Sequence, residues 1–227
     1  MKEMRADLED RPYVIISSAM SVDGKLSSRA DYSKLSCPQD LVRRDRLRSE
    51  VDAVMVGANT VIKDNPHLTV KRVAGRNPLR VILDGKLRSP PSSLVFTDKK
   101  TPTLLATTKQ APAQSIKRLQ ELGVEVLILG DASVDLRHLM RELGSRGVRR
   151  LMVEGGGTTN WNMVKKGLVD EVRVTISPYL FGGAGAVTLL EGTGFKDEKD
   201  IVKLHLEDRS LCECGNEVQL RYRVSRR

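Results

Sequence analysis

The 227-residue chain has little cysteine, little histidine, few aromatics and no long apolar run, and each shortage removes a class of function. Its three cysteines, Cys37, Cys212 and Cys214, are odd in number. The last two stand as C-x-C, which matches neither a disulfide framework nor the C-x-x-C of zinc and thioredoxin-like sites, so no metal is expected. His67, His138 and His205 lie far apart without an H-x-x-x-H pair, and the H-x-E with P-C-x-x-C pattern of zinc deaminases is absent. Any redox or group-transfer chemistry here needs an outside reagent.

Aromatics make up 4% of the chain, too few for the stacking platforms of single-strand nucleic-acid binders, and no basic helix-turn-helix or finger pattern occurs. The net charge of +9 is therefore assigned to ligands that carry phosphates, with no nucleic-acid partner. A basic nucleic-acid-binding module is the rival from another class; steep salt-dependent affinity without cofactor binding would mark it. No apolar stretch approaches the roughly 20 residues that span a bilayer, and residues 1–10 lack the apolar region of a signal peptide. The expectation is a cytoplasmic protein with no membrane partner and a flexible extension over residues 1–11.

What the chain does have is 40% hydrophobic residues in alternating strand and helix patterns, with no linker, repeat or low-complexity segment. One domain over 1–227 is expected. Tyr13 to Met20 reads as an interior strand leading into Ser21-Val-Asp-Gly-Lys25, and Pro38 opens a helix bearing Leu41, Val42, Leu47 and Val51. The arginines between them, Arg43, Arg44, Arg46 and Arg48, read mostly as a solvated face. Ala53 to Gly57 is a second strand that runs straight into a short helix over Asn59 to Asp64. Leu79 to Asp84 is a third strand, Ser92 to Thr97 and Thr103 to Thr107 are short β runs, and helices over Ala113 to Leu122 and Leu136 to Leu143 flank Val124 to Leu129. Beyond Gly167 the pattern changes: Glu171 to Ser177 alternates in polarity, and Ile201 to Asp208 with Glu217 to Val224 form a pair of alternating strands, an antiparallel addition at the end. The fold class is α/β: a mixed, mostly parallel sheet with helices on both faces and a C-terminal antiparallel strand pair.

The segment Leu151-Met-Val-Glu-Gly-Gly-Gly-Thr-Thr159 carries the strongest local signal: a buried strand that breaks on three glycines and becomes a helix. Consecutive glycines cost backbone entropy and suit unusual dihedrals or close approach of a ligand. At a helix N-terminus an anion such as phosphate is the usual guest, with Thr158 and Thr159 adding hydroxyls. A plain tight turn is the competing reading. The spacing is not the G-x-G-x-x-G of a Rossmann domain, and the acid, Glu154, precedes the glycines.

Taken in order, Ser21-x-Asp-Gly-Lys25, Gly57-Ala-Asn-Thr60 with Asp64-x-Pro-x-Leu68-Thr-Val, Glu154-Gly-Gly-Gly157 and Leu168-Val-Asp-Glu171 resemble the riboflavin-biosynthesis pyrimidine reductases, in their standalone archaeal and fungal form. The resemblance runs from Val14 to Val224. It implies a dihydrofolate reductase-like three-layer fold, a homodimer and NADPH as cofactor, with NADH the weaker donor. By the same resemblance Thr60, Asp64, Gly85, Gly130, Gly155, Gly156, Gly157 and Thr158 would hold NADPH, and Lys25, Arg48, Leu68 and Glu154 would face the substrate. Arg48 suits a ribose phosphate because a guanidinium fork meets phosphate oxygens bidentately. Lys71 stands where fused bacterial relatives tend to show arginine, and Lys109 is the guess for NADPH selectivity. Asp64 and Glu154 are candidate acid or orienting groups, or simply acceptors for ribose and pyrimidine donors.

The implied reaction reduces the ribosylamino side chain of a pyrimidine 5′-phosphate to the ribitylamino form by hydride transfer to C1′. Because the zinc deaminase motifs are missing, the expected substrate is 2,5-diamino-6-ribosylamino-4(3H)-pyrimidinone 5′-phosphate, ahead of its deaminated dione analogue. A pterin reductase on the same fold is the nearest rival.

Overall fold

The computed structural model describes residues 10–225. Residues 1–9 of the expected N-terminal extension, and Arg226 and Arg227 of the basic tail, lie outside the described residues. Strands and helices alternate as β1 (Tyr13–Ser21), α1 (Pro38–Glu50), β2 (Ala53–Gly57), α2 (Ala58–Asp64), β3 (Leu79–Leu83), α3 (Leu94–Thr97), β4 (Thr103–Thr107), α4 (Ala113–Glu121), β5 (Glu125–Ile128), α5 (Leu136–Ser145), β6 (Arg150–Val153), α6 (Gly157–Lys165) and β7 (Glu171–Ser177). A hairpin of β8 (Leu204–Leu211) and β9 (Val218–Val224) follows. The nine strands form one sheet in the order β5-β4-β3-β2-β6-β1-β7-β9-β8. Pairings from β5 across to β7 are parallel; β9 pairs antiparallel with both β7 and β8.

The inner strands are mostly apolar on both faces because helices cover both sides of the sheet. All five residues of β2 are buried. Successive side chains point to opposite faces. Val14, Ile16, Met55 and Val81 therefore pack with Leu139, Leu143 and Met163 of α5 and α6, while Ile15, Val54, Val56 and Ile82 pack with Leu47 and Leu119 of α1 and α4.

Two local expectations are corrected. Ser92 to Thr97, read as β, contains the one-turn helix α3: Val95 and Phe96 drop into the second core, and the Thr97 hydroxyl donates to the Ser93 carbonyl at 3.1 Å. An apolar run this short has no resolvable period, so tertiary burial decides its state. The strand expected from Ile201 starts three residues later, at Leu204, after a 3-10 turn over Glu198–Asp200.

Connectivity places the cleft. The chain steps outward from β2 to β5, then returns to lay β6 between β2 and β1, so the carboxyl ends of β2 and β6 lie side by side. Each opens directly into a helix, α2 or α6, and a crevice at such a reversal of strand order is where open α/β sheets bind ligands.

Candidate functional site

A cleft of about 1610 Å³ lies across these strand ends. Drug-sized sites occupy roughly 300–1,000 Å³, so this one has room for two ligands side by side. Ten Lys and Arg side chains line it against six Asp and Glu.

One end has the geometry of an anion cradle. Helix α6 starts at Gly157 with Gly156 as N-cap and no side-chain cap, so its first N–H groups have no intrahelical partner. The turn before it is held from outside: Gly57 N–H donates to the Gly155 carbonyl at 2.9 Å and Glu154 N–H to the Met55 carbonyl at 3.0 Å. Gly155 has φ 94°, a left-handed value that favours glycine, and the Gly155–Gly156 peptide is cis. A Cβ on Gly57 would stand 2.4 Å from Thr159 Oγ1, and one on Gly157 2.3 Å from the Thr188 carbonyl oxygen. At Gly156 the nearest atom to a Cβ would be Thr60 Oγ1 at 3.7 Å, so this glycine keeps open the space facing α2.

The other end is built on α1. Arg48 is 5% exposed and presents its fork to Glu154, with Nε to Oε1 and Nη2 to Oε2 both at 2.6 Å, while Nη1 donates to the Thr69 carbonyl at 3.0 Å. Burial pushes the Glu154 carboxyl up, but the Arg48 guanidinium outweighs it and holds Glu154 below its ordinary value, ionised at neutral pH. Asp45, fully buried, accepts from the backbone N–H of Lys71 and Arg72 and from Arg72 Nη1, which ties the 69–72 loop to α1. Arg44 lines the cleft beside this pair with no hydrogen bond or ion pair among the described residues, and its buried Nε is unsatisfied. Burial lowers its pKa, with Glu154 opposing.

Of the residues singled out in the sequence, Arg48, Thr60, Asp64, Leu68, Gly85, Glu154, Gly156, Gly157 and Thr158 line this cleft. Lys25, Gly130 and Gly155 do not. Lys25 forms a lone β-bridge with Thr188, while its neighbours Leu26 and Ser27 face the cleft. Gly130 turns at φ 98° and shapes the loop that brings Ser133 and Val134 to the wall. Asp64 sits at the rim with its carboxyl pKa raised, by burial first and by Asp31, against the pull of Lys63. Leu68 is buried at φ 53°, an uncommon conformation for a leucine.

Three expectations change. The α1 arginines are not a solvated face: only Arg46 is exposed, Arg43 bonds Asp40 and Thr175, and Arg48 is interior. Arg48 cannot offer a free fork to phosphate, because both its fork nitrogens are spent on Glu154; the uncommitted guanidinium is Arg44. Lys109 pairs with Asp131 at 2.8 Å and is not a lining residue. The missed residues are Arg44 and Asp45, and their signal was the acids Asp40 and Asp45 interleaved with arginines on one helix.

The fold and the cleft are those of a dihydrofolate reductase-like oxidoreductase. A dihydrofolate reductase from Enterococcus faecalis, solved with NADP(H), superposes with a TM-score of 0.54 over 94% of this chain and 97% of its own, at 12% identity, a likeness of fold alone. The chain belongs to the RibD C-terminal domain family, whose model matches residues 12–220. The 2,5-diamino-6-ribosylamino-4(3H)-pyrimidinone 5′-phosphate reductase of Methanothermobacter thermautotrophicus is 44% identical over 200 residues, 87% of this chain and 92% of that one. The Aquifex aeolicus protein of the same name is 40% identical, covering 95% and 97%. Among solved structures, a deaminase/reductase of Thermotoga maritima, a diaminohydroxyphosphoribosylaminopyrimidine deaminase joined to a 5-amino-6-(5-phosphoribosylamino)uracil reductase, matches at TM-score 0.77 and 26% identity. It covers 96% of this chain, which spans 58% of that longer one. A nicotinamide cofactor is implied, and the uncapped α6 N-terminus with an open Gly156 fits its phosphates.

Breaking a buried ion pair from one side leaves an uncompensated charge and costs about 3–5 kcal/mol. Arg48→Met should destabilise the protein by that order in urea unfolding, and the Arg48→Met/Glu154→Leu double variant should recover much of the loss. Additive losses would show that the two side chains do not act as a pair.

Proposed function

We propose that this chain is a single-domain NADPH-dependent reductase of 2,5-diamino-6-ribosylamino-4(3H)-pyrimidinone 5′-phosphate, reducing its ribosylamino side chain at C1′ to the ribitylamino form. The observation that supports this reading is one cleft with two separate ends suited to anions, a helix N-terminus at Gly157 and the Arg44 guanidinium, which has no hydrogen-bond partner among the described residues. A dinucleotide and a phosphorylated pyrimidine need such a pair of ends. The names of the relatives 44% and 40% identical support the substrate. Both ligands are multiply charged, which suits a cytoplasmic enzyme.

When bound, the nicotinamide supplies the hydride. Gly156, Gly157 and Thr158 hold the pyrophosphate on the free N–H groups of α6, with Thr60, Asp64 and Gly85 along the same wall. Gly155 and Gly130 act through the backbone turns they make. Lys86 and Arg88, which line the cleft next to Gly85, replace Lys109 as the cations for a 2′-phosphate and hence for NADPH over NADH. At the substrate end Arg44 and Lys71 meet the 5′-phosphate, and Leu68 walls the ring. Glu154, kept ionised by Arg48, accepts hydrogen bonds from pyrimidine or ribose donors and does not serve as the acid. Asp64, with its raised pKa, is the better proton donor or orienting group. Lys25 shapes the loop carrying Leu26 and Ser27 to the cleft.

A homodimer is part of the proposal. The outer strand β8 leaves an unpaired edge, and Leu204 (44%) and Leu206 (40%) are exposed on it, an arrangement that invites a second copy. Leu204→Glu with Leu206→Glu should give a monomer by light scattering where the parent chain gives a dimer; a parent monomer, or a dimeric variant, would remove this surface from consideration.

A methyl group at position 156 clashes with nothing in the protein but enters the phosphate space. Gly156→Ala should keep its melting temperature within a few degrees and weaken NADPH binding by about tenfold or more, equivalent to about 1.4 kcal/mol. Unchanged affinity in the folded variant would refute the cradle.

Following NADPH oxidation by absorbance, kcat/KM for the diamino compound should exceed that for the deaminated dione by at least about tenfold, because a site that accepts from the 2-amino group is left unpaired by a carbonyl. A preference for the dione would assign this chain the substrate of the fused deaminase–reductases instead.

A further inference from the structure

Away from the cleft, the fold assembles a cluster that spacing along the chain does not reveal. Cys37, the N-cap of α1, meets the turn between β8 and β9, which carries Cys212, Cys214 and Glu217. Cys37 and Cys212 are 175 residues apart in sequence, yet their sulfurs are 3.5 Å apart. The three sulfurs and a Glu217 carboxylate oxygen all lie within 4.8 Å of one another. In a tetrahedral zinc site with Zn–S near 2.3 Å, ligand sulfurs stand about 3.8 Å apart, so this cluster is already close to ligating dimensions.

A second, independent observation points to a ligand. Glu217 is 3% exposed; its Oε1 accepts from the Cys37 backbone N–H at 2.7 Å, while Oε2 is buried with no hydrogen-bond partner. A buried carboxylate oxygen without a donor is costly, and a cation is what would satisfy it. The bond to Oε1 orients the carboxylate in the way that outer hydrogen bonds orient metal ligands. The turn is itself fixed, with Cys212 N–H donating to the Glu217 carbonyl at 2.7 Å and Gly215, at φ 75°, donating to the Cys212 carbonyl at 2.8 Å.

We propose that Cys37, Cys212, Cys214 and Glu217 form a structural zinc site that clamps the C-terminal hairpin to the start of α1. Thiolates with one carboxylate select Zn²⁺ over the hard cations Mg²⁺ and Ca²⁺. Four protein ligands leave no open position, so the ion's work is mechanical. Its position gives that work a direction: Lys34, Leu35 and Ser36, just before Cys37, line the cleft, and α1 continues into Arg43, Arg44 and Arg48. The expectation of no metal, drawn from the C-x-C spacing, overlooked a ligand delivered by a distant loop.

The test uses the full chain, stripped with chelator under reducing conditions. Titration with Co²⁺ should give thiolate-to-cobalt charge-transfer bands and tetrahedral visible bands that saturate at one equivalent and vanish on adding Zn²⁺. In competition with a chromophoric chelator, Cys214→Ser and Glu217→Gln should each weaken Zn²⁺ binding by about tenfold or more. Zn²⁺ should raise the melting temperature of the parent chain and not that of Cys214→Ser, whose folding is checked by circular dichroism. The proposal is overturned if no charge-transfer band appears, or if the folded Cys214→Ser variant binds Zn²⁺ as tightly as the parent. It is equally overturned if the cysteines respond only to oxidant, losing two hydrogens by mass with no metal bound.

Discussion

The buried Arg48–Glu154 pair joins the two halves of the site. Arg48 comes from the last turn of α1 on one face of the sheet; Glu154 directly follows β6, where the glycine turn begins. Two hydrogen bonds of 2.6 Å in fork geometry fix both side chains in a place where neither could stay alone. The pair holds α1, with Arg44 and the Asp45-bound 69–72 loop, at a set distance from the turn that opens α6. It also holds the Glu154 carboxyl below its ordinary value against a burial that pushes it up, so the cleft contains a fixed, ionised acceptor.

Around that fixed point the cleft is asymmetric for physical reasons. At the α6 end the polar groups facing the cleft are backbone N–H donors, free because the helix has no side-chain cap and open because position 156 is glycine. At the α1 end they are side-chain cations, one of them, Arg44, partly desolvated and without a hydrogen-bond partner among the described residues.

Much of the fold was legible because the inner strands have little choice. A stretch such as Ala53–Gly57, wholly apolar and followed at once by a helix, reads as an interior strand of a two-sided sheet, and the alternating polarity of the last two strands announced their antiparallel pairing. The glycine turn was legible for a similar reason, since three glycines have few other uses. The α1 arginines were misread because a charged helix face is ordinarily solvated, and no local pattern says that an acid 106 residues away will neutralise Arg48. Helix α3 was misread because a run of three apolar residues does not define a period.

The sequence by itself determined most of the elements, the sheet class, the glycine turn and the family, since each depends on short-range patterns of burial, backbone freedom and residue order. Only the tertiary structure decided which cations are free and which are spent, that Glu154 stays ionised, and that Cys37 stands beside Cys212 and Cys214. Those are questions of distance and dielectric between groups far apart in the chain, and they have no answer until β6 is laid between β1 and β2 and the hairpin closes on α1.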